Sequence, residues 1–221
     1  MLEKRPILNS IFNKVNEAHA LTEINVGEFS EMKAPLMKFT IKAYNAEGLG
    51  HVSFMSMTAF FGLMKMDTVI VNPKERDLPL LSYDRVYVAG KDTLIVELYD
   101  TRANAYDMPA LAALAEEAKA LPQNDLGEHW YDNIKLPESV SLKAKKEYEG
   151  KFDSLAEGIV SAYLGTTEPA EFDGAVKAEK SSAYVEGLLK NGGPSTSVFQ
   201  KFFGEEKTAD LFRSFLFGTK A

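Results

Sequence analysis

The chain has 221 residues with 25 basic and 32 acidic side chains, a formal net charge of −7, 45% apolar content and no cysteine. That length suits one large domain or two small ones with a real core, and the missing thiols exclude disulfides, thiolate zinc sites, iron–sulfur clusters and a cysteine nucleophile. The acidic balance argues against nucleic-acid binding. With no apolar run of about 18 residues and a charged start, the sequence reads as soluble and cytoplasmic, with no membrane partner.

Ile7, Leu8, Ile11, Phe12 and Val15 recur at helical spacing and predict an amphipathic first helix. From Ala34 the period changes to two: Met37, Phe39, Ile41 and Ala43 alternate with Lys38, Thr40 and Lys42, as in a strand with one wet face. Four more strands are predicted over 51–58, 63–71, 80–89 and 93–99, punctuated by Gly62, Asn72-Pro73 and Gly90. The short Gly90-Lys91-Asp92 connector and the absence of crossover helices favour an antiparallel meander over a doubly wound parallel sheet. Helices follow over 108–121, 142–148, 152–164, 172–189, 196–203 and 207–217, with a loop across 122–136. Without repeats or a linker, 1–221 reads as one layered α+β domain with a helical C-terminal half.

On a strand over 80–88, Leu80, Ser82, Asp84, Val86 and Val88 share one face, while Tyr83, Arg85 and Tyr87 point the other way. A carboxylate on an aliphatic face has its pKa raised, which prepares a proton donor near neutral pH; the alternative is an edge Asp, or one paired to a cation. Glu97 falls with Ile95 and Tyr99 and interrupts a second apolar row, unless a cross-strand cation such as Arg85 neutralises it. His19, His51 and His129 lack any ligand-like spacing, so no metal site is expected, although His51 opens a strand and can line a pocket.

The stretch GLLKNGGPSTS lacks P-loop spacing and reads as a helix end at Asn191-Gly192, a turn through Gly193-Pro194 and a new helix from Ser195 or Thr196. Phe199, Phe202, Phe203, Phe212, Phe215 and Phe217 sit at core spacing. Lys190, Lys201, Lys207 and Arg213 form either a docking patch for an acidic protein or a solvated helix face.

Two segments carry a resemblance. MDTVIVNPKERDLPLLSYDRVYVAGKDTLIVELYDT resembles the central sheet of ferredoxin-dependent bilin reductases, and GLLKNGGPSTSVFQKFFGEEKTADLFRSFLFG is similar to the C-terminus of that family. The resemblance implies a three-layer α/β/α sandwich, a fold shared with red chlorophyll catabolite reductases, whose antiparallel sheet and C-terminal helices enclose a linear tetrapyrrole such as biliverdin. It further implies a radical reduction by single electrons from ferredoxin or flavodoxin, with no bound flavin or metal cofactor.

The proton-donating sheet aspartate of the family carries over onto Asp84. Thr68 falls where one branch has a catalytic His, and Gly193 where several members have a second donor Asp, which leaves His51 or Glu97 as substitutes. Arg85, Lys91 and Arg102 are candidates to bind the propionates. These departures keep a second reading open, a non-catalytic tetrapyrrole carrier or sensor. A third is an interaction protein that buries a partner against its aromatic C-terminal helices.

Overall fold

The computed structural model describes residues 6–193 and 195–220. The helical spacing at the start folds as α1 (Pro6–Ala18), which buries Ile7, Leu8, Ile11 and Val15. Two short strands, β1 (Leu21–Ile24) and β2 (Glu31–Ala34), then pair with different halves of β3 (Met37–Ala46). Four-residue strands offer too few alternations to be read from sequence. The next four, β4 (Gly50–Ala59), β5 (Met64–Pro73), β6 (Leu80–Val88) and β7 (Lys91–Tyr99), form the expected antiparallel meander.

The turn between β6 and β7 is two residues, Ala89 at φ 51° and Gly90 at φ 73°. This is the left-handed pair that matches the twist of a tight hairpin. The β4–β5 turn is more strained: Phe60 and Phe61 take φ of 50° and 59°, and the Phe61 side chain is left 96% exposed.

One predicted helix is a strand. Residues 142–148 fold as the end of β8 (Val140–Lys145) followed by a 3₁₀ turn, Lys146–Tyr148. Val140 and Leu142 are buried, Lys143 is exposed, and β8 pairs antiparallel with β7 from Lys91↔Lys145 to Val96↔Val140. The open backbone edge of β7 supplies the hydrogen bonds, so tertiary pairing overrides a short ambiguous pattern.

The result is an 8-stranded antiparallel sheet with helices on both faces, an α+β three-layer sandwich. One face, with Tyr44, Phe54, Val69, Tyr83, Leu94 and Val96, packs under α1, α2 (Pro109–Ala118) and α3 (Glu149–Leu164). The other face, with Phe39, Met55, Ile70, Leu80 and Tyr99, meets the C-terminal layer. That layer comprises α4 (Gly174–Asn191), α5 (Thr196–Phe203), α6 (Glu205–Asp210) and a π-helical turn, Leu211–Leu216. Phe199, Phe212 and Phe217 are buried in this second core, while Phe202, Phe203 and Phe215 lie partly exposed at its rim. No helix among the described residues is long and apolar enough to cross a membrane.

Three sheet side chains fasten the end of that layer. His51 Nε2 donates to the Phe215 carbonyl at 2.8 Å, Ser53 Oγ to Leu216 O at 2.7 Å and Asn72 Nδ2 to Phe217 O at 2.7 Å. Carbonyls that end a helix lack intrahelical partners, and here the sheet supplies them. Gly218, at φ 62°, lies so close to the His51 ring that a Cβ there would stand 2.3 Å from Cγ. Burial pushes the His51 imidazole down to about 4 against the pull of its carbonyl bond, so the ring is neutral and Nε2–H donates.

Candidate active site

The register of the meander assembles the polar cluster. β5–β6 pairing sets Thr68 opposite Asp84, and β6–β7 pairing sets Ser82 opposite Glu97. Since alternate residues share a face, all four side chains point toward the C-terminal layer. Thr68 Oγ1 donates to Asp84 Oδ1 at 2.5 Å, and Ser82 Oγ reaches Oδ2 at 3.4 Å. They floor a small cavity of about 50 Å³ roofed by Tyr184, Leu188, Thr196, Phe212 and Phe217. No cation lines it. Burial therefore dominates and lifts the Asp84 carboxyl from 3.8 to about 6; the Thr68 and Ser82 hydrogen bonds work against this rise, and the charge of Glu97 reinforces it.

Glu97 has its own partners. Tyr99 Oη donates to its Oε2 at 2.6 Å, and Lys135 Nζ stands 3.6 Å from Oε1 while also binding Asp132 at 2.7 Å. The Tyr99 ring lies 4.2 Å from that of Tyr184 at an interplanar angle of 31°. Burial, with Tyr184 and Glu97 alongside, holds the Tyr99 phenol far above its ordinary value, so it remains a donor.

The other candidates lie elsewhere. Arg85 is on the opposite face, fully buried with Asp92: Nε and Nη2 each donate to that carboxylate at 2.6 Å, and Asp153 stands 3.1 Å away. Strand parity forbids it both the cavity and Glu97, which corrects its two expected roles. Lys91 is exposed beside the β6–β7 turn and lines a cleft with Tyr87 and Asp92 instead. Arg102 is spent on a loop, donating to Asp100 Oδ1 and to the Tyr106 carbonyl, both at 2.7 Å. None of the three lines the Asp84 cavity.

His51 is committed to the Phe215 carbonyl and does not line the cavity either. Gly193 stands just behind the roof, where a Cβ would come within 2.6 Å of Leu188 Cδ2, and Pro194 lies outside the described residues. The C-terminal basic group disperses over helix surfaces: Lys207 pairs with Glu28, and Arg213 pairs with Glu186 at 2.6 Å.

The periodicity gave no hint of Lys135 or of the roof residue Tyr184, which reach the site from the 122–136 loop and from α4. That loop is pinned to α4 by Trp130, whose Nε1 donates to Gly192 O at 2.8 Å. Its indole fills the space over Gly187, where a Cβ would lie 2.2 Å from the ring. Among the described residues no group of three or more His, Asp or Glu side chains is placed to hold a metal ion.

This arrangement of sheet and helical layers has a structural counterpart. The chain matches the crystal structure of phytochromobilin synthase from tomato in complex with biliverdin, with a TM-score of 0.77 at 14% sequence identity, over 96% of this chain and 82% of that one. It has the phytochromobilin synthase fold. No family model and no curated protein matches it by sequence. The synthase fold is the three-layer architecture that the two resembling segments imply, and Asp84 lies in one of those segments, at the centre of its sheet.

Proposed function

We propose that this chain reduces a linear tetrapyrrole bound between the sheet and the C-terminal helices, with Asp84 as a proton donor and single electrons from a ferredoxin- or flavodoxin-type protein. The observation that carries the reading is a carboxyl poised at about 6, facing a cavity beneath the C-terminal layer, on the fold of a synthase crystallised with biliverdin.

One electron added to a conjugated tetrapyrrole makes a radical anion, and a proton delivered to it allows the second electron to enter. Saturating one double bond takes two electrons and two protons. Asp84 supplies the first proton, and Thr68 and Ser82 orient its carboxyl from either side. Glu97, one strand over on the same face, is the second donor, with Lys135 balancing its charge between turnovers. The two carboxyls and the substrate do all the proton chemistry, without a bound flavin or metal.

At about 50 Å³ the cavity is far smaller than a bilin, so binding lifts the roof. Glycines at positive φ stand at both ends of its helices: Gly192 at 84°, Gly204 at 85° and Gly218 at 62°. They provide the joints for such a movement.

The test is an anaerobic absorption titration with biliverdin, followed by reduced ferredoxin. A saturable red-shifted complex that bleaches to a new chromophore is expected. Binding without bleaching makes the protein a carrier or sensor, and no spectral change with biliverdin or any other linear tetrapyrrole overturns the reading. Asp84→Asn is expected to bind the pigment normally and to slow reduction by on the order of a hundred-fold or more; unchanged turnover would remove Asp84 from the mechanism.

A further inference from the structure

The register lines up one end of the sheet: Met37 pairs with Ala59, Ala59 with Met64, Met64 with Val88, Val88 with Lys91 and Lys91 with Lys145. Three turns crest this row. With their flanking residues they carry five of the seven large apolar side chains that stand exposed among the described residues: Leu36, Phe60, Phe61, Leu63 and Val88. Phe61 is 96% exposed and Leu63 76%, and Phe60 N donates to Leu36 O at 2.9 Å, which joins two of the crests. Leu36, Phe60, Phe61 and Ala89 are also the only non-glycine residues at positive φ among the described residues, at 63°, 50°, 59° and 51°. Bulky side chains rarely adopt that conformation, and such strain clusters at functional sites.

The same end is basic. Lys91 and Lys145 stand directly opposite each other across β7 and β8, Lys146 follows, and Lys65 lies on β5 two residues beyond Leu63. All four are exposed, and none has an ion-pair partner among the described residues. Like charges set opposite one another across a strand pair are unfavourable unless an anion stands over them. Of the acidic groups near by, Asp92 and Asp153 are turned to Arg85, and Glu31 holds Lys33 and Lys38. That leaves Glu147 and Glu149 against four lysines, a local reversal in a chain of net charge −7.

We propose that this end of the sheet docks on an anionic lipid bilayer, its apolar crests entering the headgroup layer and its lysines meeting the lipid phosphates. Charge and shape both select that occupant. A second copy would set lysines against lysines. A folded acidic protein would need a pocket for each protruding crest, whereas a bilayer interface accepts projecting rings with no matching shape. The expectation of no membrane partner rests on the lack of a spanning segment, and a surface contact needs none. Met64 and Val88 share a sheet face with Met66, Val86 and Asp84, so an amphiphilic molecule leaving the bilayer here meets the face that carries the acid. The docking itself does not rest on the tetrapyrrole reading.

Co-sedimentation of the full chain with vesicles tests it, comparing phosphatidylcholine alone with equal parts of phosphatidylcholine and phosphatidylglycerol. Binding to the anionic vesicles is expected to be about tenfold tighter or more than to the neutral ones, and to weaken with added salt. Phe61→Asn suits the left-handed backbone there and is expected to lose about tenfold or more. Lys91→Gln combined with Lys146→Gln is expected to lose as much. Phe61→Trp places a reporter on the crest: its emission is expected to shift to the blue on anionic vesicles, while that of the wild type, from Trp130 alone, stays unchanged. Absence of binding to anionic vesicles, or binding that Phe61→Asn leaves intact, overturns the proposal. Self-association that Phe61→Asn abolishes, without vesicle binding, gives the patch to a second copy instead. No tetrapyrrole is present in the assay, so its failure and that of the reductase reading are separate results.

Discussion

Asp84→Asn tests the electrostatics of the site through stability, without any ligand. The substitution is nearly isosteric: Thr68 Oγ1 still donates to Oδ1, and the new amide can donate to Ser82 Oγ. In the native protein the carboxyl titrates at about 6 rather than 3.8, so between those values the folded state keeps a proton that the unfolded chain has released. Stability therefore falls as pH rises across that window, by about 3 kcal/mol at about 1.4 kcal/mol per pH unit. His51 acts in the opposite sense. It drops from 6.5 to about 4 on folding, so the stability owed to its neutral ring is present above pH 6.5 and lost as pH falls toward 4.

The two slopes nearly cancel in the wild type, and removing Asp84 exposes the other. Urea denaturation followed by the fluorescence of the single tryptophan, at pH values from 4 to 8, is expected to show near-equal stability of the two proteins at the acid end. At pH 7 and above, Asp84→Asn is expected to be more stable by about 3 kcal/mol. A difference between the proteins that stays constant across the window would refute the burial argument.

Asp92→Asn strips the charge from the carboxylate that Arg85 binds on the far face and is expected to lower unfolding free energy by about 3 kcal/mol or more, read as a drop in denaturant midpoint. Gly187→Ala drives a methyl into the Trp130 ring; a loss of about 1–3 kcal/mol and a red-shifted emission maximum are expected, since the indole must leave its seat. Ala89→Asn relieves a non-glycine residue at φ 51° in the β6–β7 turn and is expected to add about 0.5–1 kcal/mol in thermal denaturation.

The meander was legible because its strands are long enough to alternate. The same parity places Asp84 and Arg85 on opposite faces from the sequence alone. β8 reads ambiguously because Ala144 and Tyr148 stand four apart, as on a helix, while Val140, Leu142 and Ala144 keep period two, and the unpaired edge of β7 makes the choice. Cross-strand proximity suggests Arg85 as the partner of Glu97, but Lys135 comes from an irregular loop whose path depends on where Trp130 docks. His51 looked like a pocket residue because strand position fixes a face but not an acceptor. The acceptor is a carbonyl at the far end of the chain, which no local pattern encodes.

β6 has a keying function of its own. It carries an acid toward one core at Asp84 and a guanidinium toward the other at Arg85, next to each other in sequence. A slip by one residue against its neighbours would turn Asp84 toward Asp92, with two carboxylates in one dry interior, and take Arg85 away from the carboxylate that holds it at two points. Apolar side chains would tolerate such an error far better than these two charges do. The far-face ion pair is thereby an assembly check on the near face: only chains that seat Arg85 against Asp92 present Asp84 to the cavity.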